Sequence, residues 1–389
     1  MEDSGLSEVT HLAFARTQKE GSGTLGVSRN IKGDFYIAFS FFAKFFSFFF
    51  LFSQLYVIIT LYVTRILRKD SCFSGRHILI MATNKYTIIT DSATDMPKWV
   101  IDKYNLRVIP TPVVIEGKDY FDGETVFPDE FYDILRSGKN VTTYHINEYM
   151  FYQNFEPYAK AGEEVLYFCF STGIAGTFNA ANLAKNELLE KYPDFKIDIM
   201  DSKCASIGFG MCVFFALYMQ SKGASKEEVM EAARFHFDHM EHIFMVDTLE
   251  YLYKGGRISR TSAIAGGLLD IKPIIEVTDE GKLEVFQKVR GRKKAIARMI
   301  EVIGERGYQL ENQVNGSVHA DCSDDDDAFI AELKSRYGIR KVVKGFLGCA
   351  IGAHTGPGMM GAVCLDAPSP AQKYIDELIK EDDPSFKFV

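Results

Sequence analysis

From Tyr86 onward, short continuous apolar runs alternate with stretches of helical periodicity. Apolar runs of this length are typical of strands covered on both faces, so the alternation predicts a parallel sheet flanked by helices. The predicted strands are Tyr86–Thr90, Arg107–Ile115, Val165–Phe170 and Phe195–Met200. The predicted helices are Pro97–Lys103, Pro128–Leu135, Ile146–Lys160, Thr177–Lys191, Ile207–Lys222 and Lys226–Met240.

Beyond about residue 245 the strands come in pairs, as in an α+β domain. A hairpin is predicted from Lys272–Thr278 into Leu283–Val289 because the residues between them read Asp-Glu-Gly. The later predicted elements are helices Lys293–Gly304 and Asp324–Tyr337 and strands Val314–Ala320, Val342–Leu347 and Ala362–Leu365. The predicted fold class is therefore α/β in two domains, with a parallel sheet in residues 85–245 and an α+β arrangement in residues 246–389.

Residues 1–84 form an extension with a different composition. The run from Phe45 to Leu67 has no charged residue before Arg65, and a segment of this length is able to span a bilayer. The alternative, which we favour, is that the start is mis-assigned and translation begins at Met81. If the run does span a bilayer, the positive residues that follow it place the main body, residues 81–389, in the cytoplasm. We therefore expect a cytoplasmic protein, anchored to a membrane only if residues 45–67 are made and inserted.

Composition excludes several classes of protein. Outside the first 80 residues there are 35 Lys/Arg and 46 Asp/Glu, and this acidic balance disfavours binding to nucleic acid. The seven cysteines are scattered without a C-x-x-C pair or zinc-like spacing, so buried free thiols are expected and no metal site is predicted.

Hydroxyl and carboxyl groups follow three predicted strands, in Asp91-Ser92, Ser171-Thr172 and Asp201-Ser202. The carboxyl ends of parallel strands share one edge of a sheet, where an anionic group is often bound. Each pair is also suited to capping a helix, and for Asp201-Ser202 we favour capping. Thr142-Thr143 is interpreted as a polar loop. Glycines 173 and 176, which precede Thr177, have no side chains and would let backbone N–H groups approach a ligand closely.

The main body lacks a Walker A string, an H-E-x-x-H and a G-x-S-x-G. Residues 356–361 match G-x-G-x-x-G, but a strand is predicted where the dinucleotide fingerprint needs a helix. The pattern therefore favours a protein that binds a small, largely apolar carboxylate without catalytic residues or a cofactor. Two alternatives stay open: a hydrolase or acyltransferase that uses Ser92 or Ser171, and a protein-interaction module built on residues 354–358.

Several ordered strings resemble the DegV family of fatty-acid-binding proteins over Tyr86 to Asp366. They are TDSATDMP at 90–97, Thr142-Thr143, AGTFNAA at 175–181, DTLEYLYKGGRIS at 247–259 and HTGPG at 354–358. The resemblance implies a Rossmann-like first half, an α+β second half and a long-chain fatty acid held between them. It also implies that a separate ATP-dependent kinase subunit phosphorylates the acyl carboxylate for phospholipid synthesis.

The resemblance also implies roles for individual residues. Thr142 matches the threonine that binds the carboxylate, while Ala175 stands where the family has a second, serine ligand. Ser171, Thr172, Thr177 or backbone N–H groups such as that of Gly176 are the candidates to replace it. Arg257, His354 and Thr355 match groups near the ligand, and Tyr144 and His145 are expected to reshape the pocket mouth. By their apolar character alone, the candidates for the lining of a tunnel are listed here, although core packing explains each of them equally well: Phe168, Phe170, Phe178, Phe209, Phe214, Phe215, Ile264 and Leu268.

Overall fold

The computed structural model describes residues 86–259 and 270–389. The Phe-rich segment 45–67 and the alternative start at Met81 lie outside these residues, as does Cys72. Of the described cysteines, all six are free and five are buried. Every described helix is too short or too polar to cross a membrane.

The first half contains a four-stranded sheet and a separate three-stranded one. Its elements are β1 (Tyr86–Asp91), α1 (Lys98–Tyr104), β2 (Arg107–Ile109), β3 (Pro112–Ile115), β4 (Lys118–Phe121), α2 (Pro128–Arg136), β5 (Val141–Thr143), α3 (Glu148–Ala161), β6 (Glu164–Cys169), α4 (Thr177–Lys191), β7 (Ile197–Asp201), α5 (Ser206–Ser221) and α6 (Lys226–Asp238). The larger sheet has the order β2-β1-β6-β7 with every neighbouring pair parallel, which confirms the predicted α/β class.

The predicted strand Arg107–Ile115 is two strands. Pro110 has no N–H to donate to a ladder, so the chain leaves the parallel sheet there, and β3 joins β4 and β5 in the antiparallel three-stranded sheet. The prediction of a loop at Thr142-Thr143 is also wrong, because these residues belong to β5. Three residues are too few for a periodic pattern to be visible in the sequence.

The second half is built on one six-stranded sheet. Its elements are β8 (Met240–Met245), α7 (Glu250–Lys254), β9 (Ile271–Val277), β10 (Leu283–Arg290), α8 (Arg292–Arg306), β11 (Val314–His319), α9 (Ser323–Tyr337), β12 (Lys341–Phe346), α10 (Cys349–Thr355), β13 (Met360–Leu365) and α11 (Gln372–Lys380). The strand order is β10-β9-β8-β13-β11-β12, with β11 and β12 parallel and the other pairs antiparallel. This sheet begins at Met240, where a helix end was predicted.

Helix α5 connects the two halves. It is buried from Ser206 to Met219, as expected for a helix that is apolar on all sides. It packs on β11 and β13 of the second sheet and on the 3-10 turn Ser92–Thr94 that follows β1. Gly210 permits this contact, because a Cβ there would lie 2.5 Å from the carbonyl oxygen of Thr94.

Candidate functional site

A cavity lies between the two halves and encloses about 950 Å³, including the space open to solvent at its mouth. Its walls are mostly apolar and come from both halves. Apolar residues on the wall include Phe170, Ile174, Ile207, Phe244, Leu252, Val277, Leu283, Val318, Ile351 and Met359.

Most of the apolar residues considered for the lining are buried in the core instead of bordering the cavity. Of the aromatic residues named, Phe170 lies on the cavity wall, and Phe178 packs against a separate part of the core. The others are buried in the main core away from the wall: Phe168, Phe209, Phe214 and Phe215. Ile264 and Leu268 lie outside the described residues. An apolar residue in the sequence signals burial, but the tertiary packing decides which buried residues border a cavity.

A polar cluster at the cavity rim is built around His354. This residue lies in the last turn of α10, and its Nε2 is 2.6 Å from the Thr143 hydroxyl at the end of β5. Alternate residues of a strand point to opposite faces, so Thr143 faces the cavity while Thr142 is exposed and off the wall. Of the two threonines, the structure therefore places Thr143, and not Thr142, on the cavity wall.

The Lys-Gly-Gly-Arg string brings Arg257 to the same rim. A Cβ at Gly255 would lie 2.0 Å from Nδ1 of His354, so only glycine permits this close approach. Gly256 has a φ of +75°, a conformation that favours glycine. The chain then turns back, and the guanidinium of Arg257 donates a hydrogen bond to the carbonyl of Gly255.

The electrostatics of the rim favour an anion. Burial and the positive charge of Arg257 lower the pKa of His354 to about 4, so its imidazole is neutral at pH 7. Burial also lowers the pKa of Arg257, but a guanidinium stays charged in a protein. Arg257 forms no ion pair with any residue in 86–259 or 270–389, and a half-buried cation without a counterion suits a carboxylate ligand.

Asp91 borders the cavity, but its oxygens already accept hydrogen bonds. Oδ1 accepts from the N–H of Ala93 at 3.1 Å, and Oδ2 accepts from the Tyr167 hydroxyl at 2.8 Å and the Phe170 N–H at 3.2 Å. Burial raises the pKa of Asp91 to about 6. The neighbouring Ser92 lies off the wall and accepts from the N–H of Thr111 at 3.0 Å. Both residues therefore organise the end of β1.

Ser171 and Thr172 also lie off the cavity wall. The buried Ser171 hydroxyl donates to the carbonyl of Gly281 at 2.8 Å, and this bond ties the first half to the turn of the β9–β10 hairpin. Thr172 donates through both its N–H and its hydroxyl to Asp201, at 3.1 and 2.5 Å. Both residues therefore connect elements of the fold, and neither borders the cavity.

The start of α4 forms another part of the rim. Ala175 and Thr177 lie on the cavity wall, whereas Gly176, the N-cap of α4, does not. Tyr144 and His145 line the mouth beside them, in agreement with the expectation that these residues shape the entrance. Thr355 is buried on the wall of the opposite half.

Three polar residues that support the site were not identified from the sequence. Asp95 and Asp122 cap the N-terminus of α10: Asp95 accepts from the N–H of Gly348 at 2.7 Å, and Asp122 from that of Cys349 at 2.8 Å. They hold the helix that carries His354. His242 lines the cavity, with its ring fixed by the Met240 carbonyl and the Ala205 N–H. The sequence indicated His242 only as a single histidine within the apolar residues that form β8.

Within the described residues, no group of three His, Cys, Asp or Glu side chains is placed to hold a metal ion. The G-x-G-x-x-G match leads into β13 (Met360–Leu365) instead of a helix, which confirms that it lacks the context of a dinucleotide site. The acidic run 324–327 lies at the start of α9, where negative charge stabilises a helix.

Comparison with known proteins gives consistent results. Residues 85–366 match the family model described as "Uncharacterised protein, DegV family". A DegV domain-containing protein of Clostridium perfringens is 35% identical over 283 residues, which cover 72% of this chain and 97% of the relative.

Two solved structures resemble this fold over most of the described chain. A DegV family protein of Thermus thermophilus, described by its fatty acid binding, has 28% identity and a TM-score of 0.66, covering 73% of this chain and 100% of its own. A stearic-acid-binding protein of Eubacterium ventriosum has 26% identity and a TM-score of 0.66, covering 72% and 97%. The resemblance predicted from the sequence motifs is thereby confirmed, and the chain belongs to the DegV family.

Proposed function

We propose that the protein binds a long-chain fatty acid in the cavity between its two halves, with the carboxylate at the rim formed by Thr143, Arg257 and His354. The observation that carries this proposal is a largely apolar cavity that has, at one rim, a hydroxyl, an imidazole and a guanidinium without an ion-pair partner among the described residues. The solved relatives described as binding fatty acids support it.

The apolar wall supplies the driving force for holding an acyl chain. Each buried methylene contributes roughly 0.8 kcal/mol, so the chain of a sixteen-carbon acid gives a gross gain of about 11 kcal/mol. Ordering a flexible chain and losing its translational freedom consume much of that gain. The acyl chain therefore accounts for affinity, while the head group accounts for orientation.

The rim accounts for recognition of the carboxylate. A hydrogen bond to a charged group contributes about 1.5–3 kcal/mol, more than one between neutral groups. Thr143 offers such a bond, and Arg257 offers a positive charge that no described carboxylate neutralises. Neutral His354 fixes the Thr143 hydroxyl without adding a second buried charge.

We further propose that the bound carboxylate is presented to a separate ATP-dependent kinase, which transfers a phosphoryl group to it and forms an acyl phosphate. The family resemblance supports this step, as does the exposure of Tyr144 at the mouth of the cavity. The absence of a Walker A string from the main body is consistent with an ATP-using partner.

A hydrolase that uses Ser92 or Ser171 receives no support from the geometry. The Ser171 hydroxyl is fully buried and bonded to a backbone carbonyl, and the Ser92 hydroxyl accepts from a backbone N–H and interacts with the Asp122 carboxylate. Neither hydroxyl is hydrogen-bonded to an imidazole of the described residues, which a serine nucleophile needs for its activation.

The test is to purify the full chain, denature it and identify released lipid by mass spectrometry. We expect one fatty acid per protein molecule. With a fatty acid kinase and ATP, the loaded protein should also yield an acyl phosphate, which hydroxylamine traps as a hydroxamate. A folded protein that repeatedly carries no lipid and does not bind added palmitate would contradict the proposal and favour an interaction module.

A further inference from the structure

His145 lies at the cavity mouth two residues beyond Thr143, and both side chains reach the wall. Thr143 is the last residue of β5, and the chain from Tyr144 to Asn147 continues without regular secondary structure to the start of α3. Both side chains therefore border the cavity at its mouth.

The imidazole of His145 lies against the beginning of α4. Its Cε1, Nδ1 and Nε2 atoms are 3.5–3.6 Å from the position that a Cβ of Gly176 would occupy. The preceding residue on the wall, Ala175, has only a methyl group there. At this part of the rim, the side chains that have hydrogen-bonding atoms to offer are therefore those of His145 and Thr177.

Both ring nitrogens of His145 are without a hydrogen-bond partner among residues 86–259 and 270–389. Its neighbour Tyr144 differs, because the Asp119 carboxylate interacts with the phenol and, together with burial, raises the pKa of Tyr144. The Tyr144 hydroxyl is therefore engaged at Asp119, outside the cavity wall. An imidazole has at least one N–H in every protonation state and tautomer, so His145 provides a donor.

We propose that His145 donates a hydrogen bond to the carboxylate of the bound fatty acid, opposite the Thr143 hydroxyl, and so determines the preference for an acid over an uncharged head group. This inference rests on the proposed function. Ala175 stands where the family has a serine that binds the carboxylate. We assign the hydrogen-bond donor that this serine would supply to His145, in the connection between β5 and α3. A carboxylate has two oxygens and accepts from both sides of the rim, whereas an alcohol has one oxygen and gains less from the second donor.

The experiment compares palmitate with hexadecanol, which has the same chain length and no charge. Dissociation constants are measured on the delipidated full chain by titration calorimetry or by displacement of a fluorescent fatty acid. His145→Phe should weaken palmitate binding about tenfold and leave hexadecanol within about twofold, because only the acid loses a charge-assisted bond. His145→Gln, which keeps an N–H donor, should retain most of the preference.

Ala175→Ser provides the matched rescue. It adds a hydroxyl to the same part of the rim, so in the His145→Phe background it should restore most of the palmitate affinity. Thr142→Val changes an exposed residue of β5 and should leave the affinities for palmitate and for hexadecanol unchanged.

Two results separate the failure of this inference from the failure of the proposed function. An unchanged ratio of palmitate to hexadecanol affinity in His145→Phe, with a reduced ratio in Thr143→Val, would overturn the role of His145 alone. A wild-type chain that binds neither ligand would overturn fatty-acid binding and the role of His145 together.

Discussion

Replacing Thr143 with valine removes one hydroxyl from the rim while keeping the β-branched shape that suits a strand. In the free protein, the change takes away the 2.6 Å partner of His354 Nε2, whose Nδ1 is already buried without a partner among the described residues. A buried polar atom left unpaired costs about 1–3 kcal/mol, so the unfolding free energy should fall by that amount.

The same substitution should weaken fatty-acid binding. The lost hydrogen bond is to a charged carboxylate and contributes about 1.5–3 kcal/mol, which corresponds to roughly a 10- to 150-fold rise in Kd. Urea unfolding measures the first effect, and calorimetric titration of the delipidated protein with palmitate measures the second.

Thr142→Val is the matched control, because it makes the same chemical change one residue away on the exposed face of β5. It should leave both quantities within error of the wild type. If Thr142→Val weakens palmitate binding as much as Thr143→Val, or if Thr143→Val has no effect, the assignment of the inward-facing threonine is refuted.

Three further predictions concern the fold around the cavity. Burial lowers the pKa of His236 to about 3, so between about pH 6.5 and 3 the unfolded chain binds a proton that the folded protein does not bind. The unfolding free energy should therefore fall by up to about 5 kcal/mol as the pH drops from about 6.5 towards 3. Urea unfolding of His236→Gln should show a correspondingly smaller loss over the same pH range. Asp122→Ala removes the cap of α10 and should cost about 1–2 kcal/mol in thermal unfolding while weakening palmitate binding, since His354 loses its support. Ser171→Ala should lower the unfolding free energy by about 1 kcal/mol through loss of its bond to Gly281 and leave palmitate affinity unchanged; loss of an esterase activity in this variant would instead favour a hydrolase.

Regular elements were predicted well where the sequence pattern was long. The helix Thr177–Lys191 has the predicted bounds, and the strands at Tyr86, Val165 and Phe195 form the core of a parallel sheet within a few residues of their predicted limits. Periodicity over a dozen residues, or a continuous apolar run, is a local property that tertiary contacts rarely reverse.

Short elements were predicted poorly. Strand β5 has three residues, and nothing local indicates that it pairs with β3 or which of its two threonines faces inward. Pairing with β3 fixes that choice, because a shift of one residue reverses the face of every side chain.

The sequence by itself determined the α/β class and the family, and its motifs contain Arg257 and His354, which border the cavity. Only the tertiary structure decided which hydroxyls reach the cavity. Thr143 meets His354 across 211 residues of chain, while Ser171 is used to join the two halves. The physical reason is that motifs record which chemical groups are present, whereas strand register and the packing of one half on the other decide where those groups point.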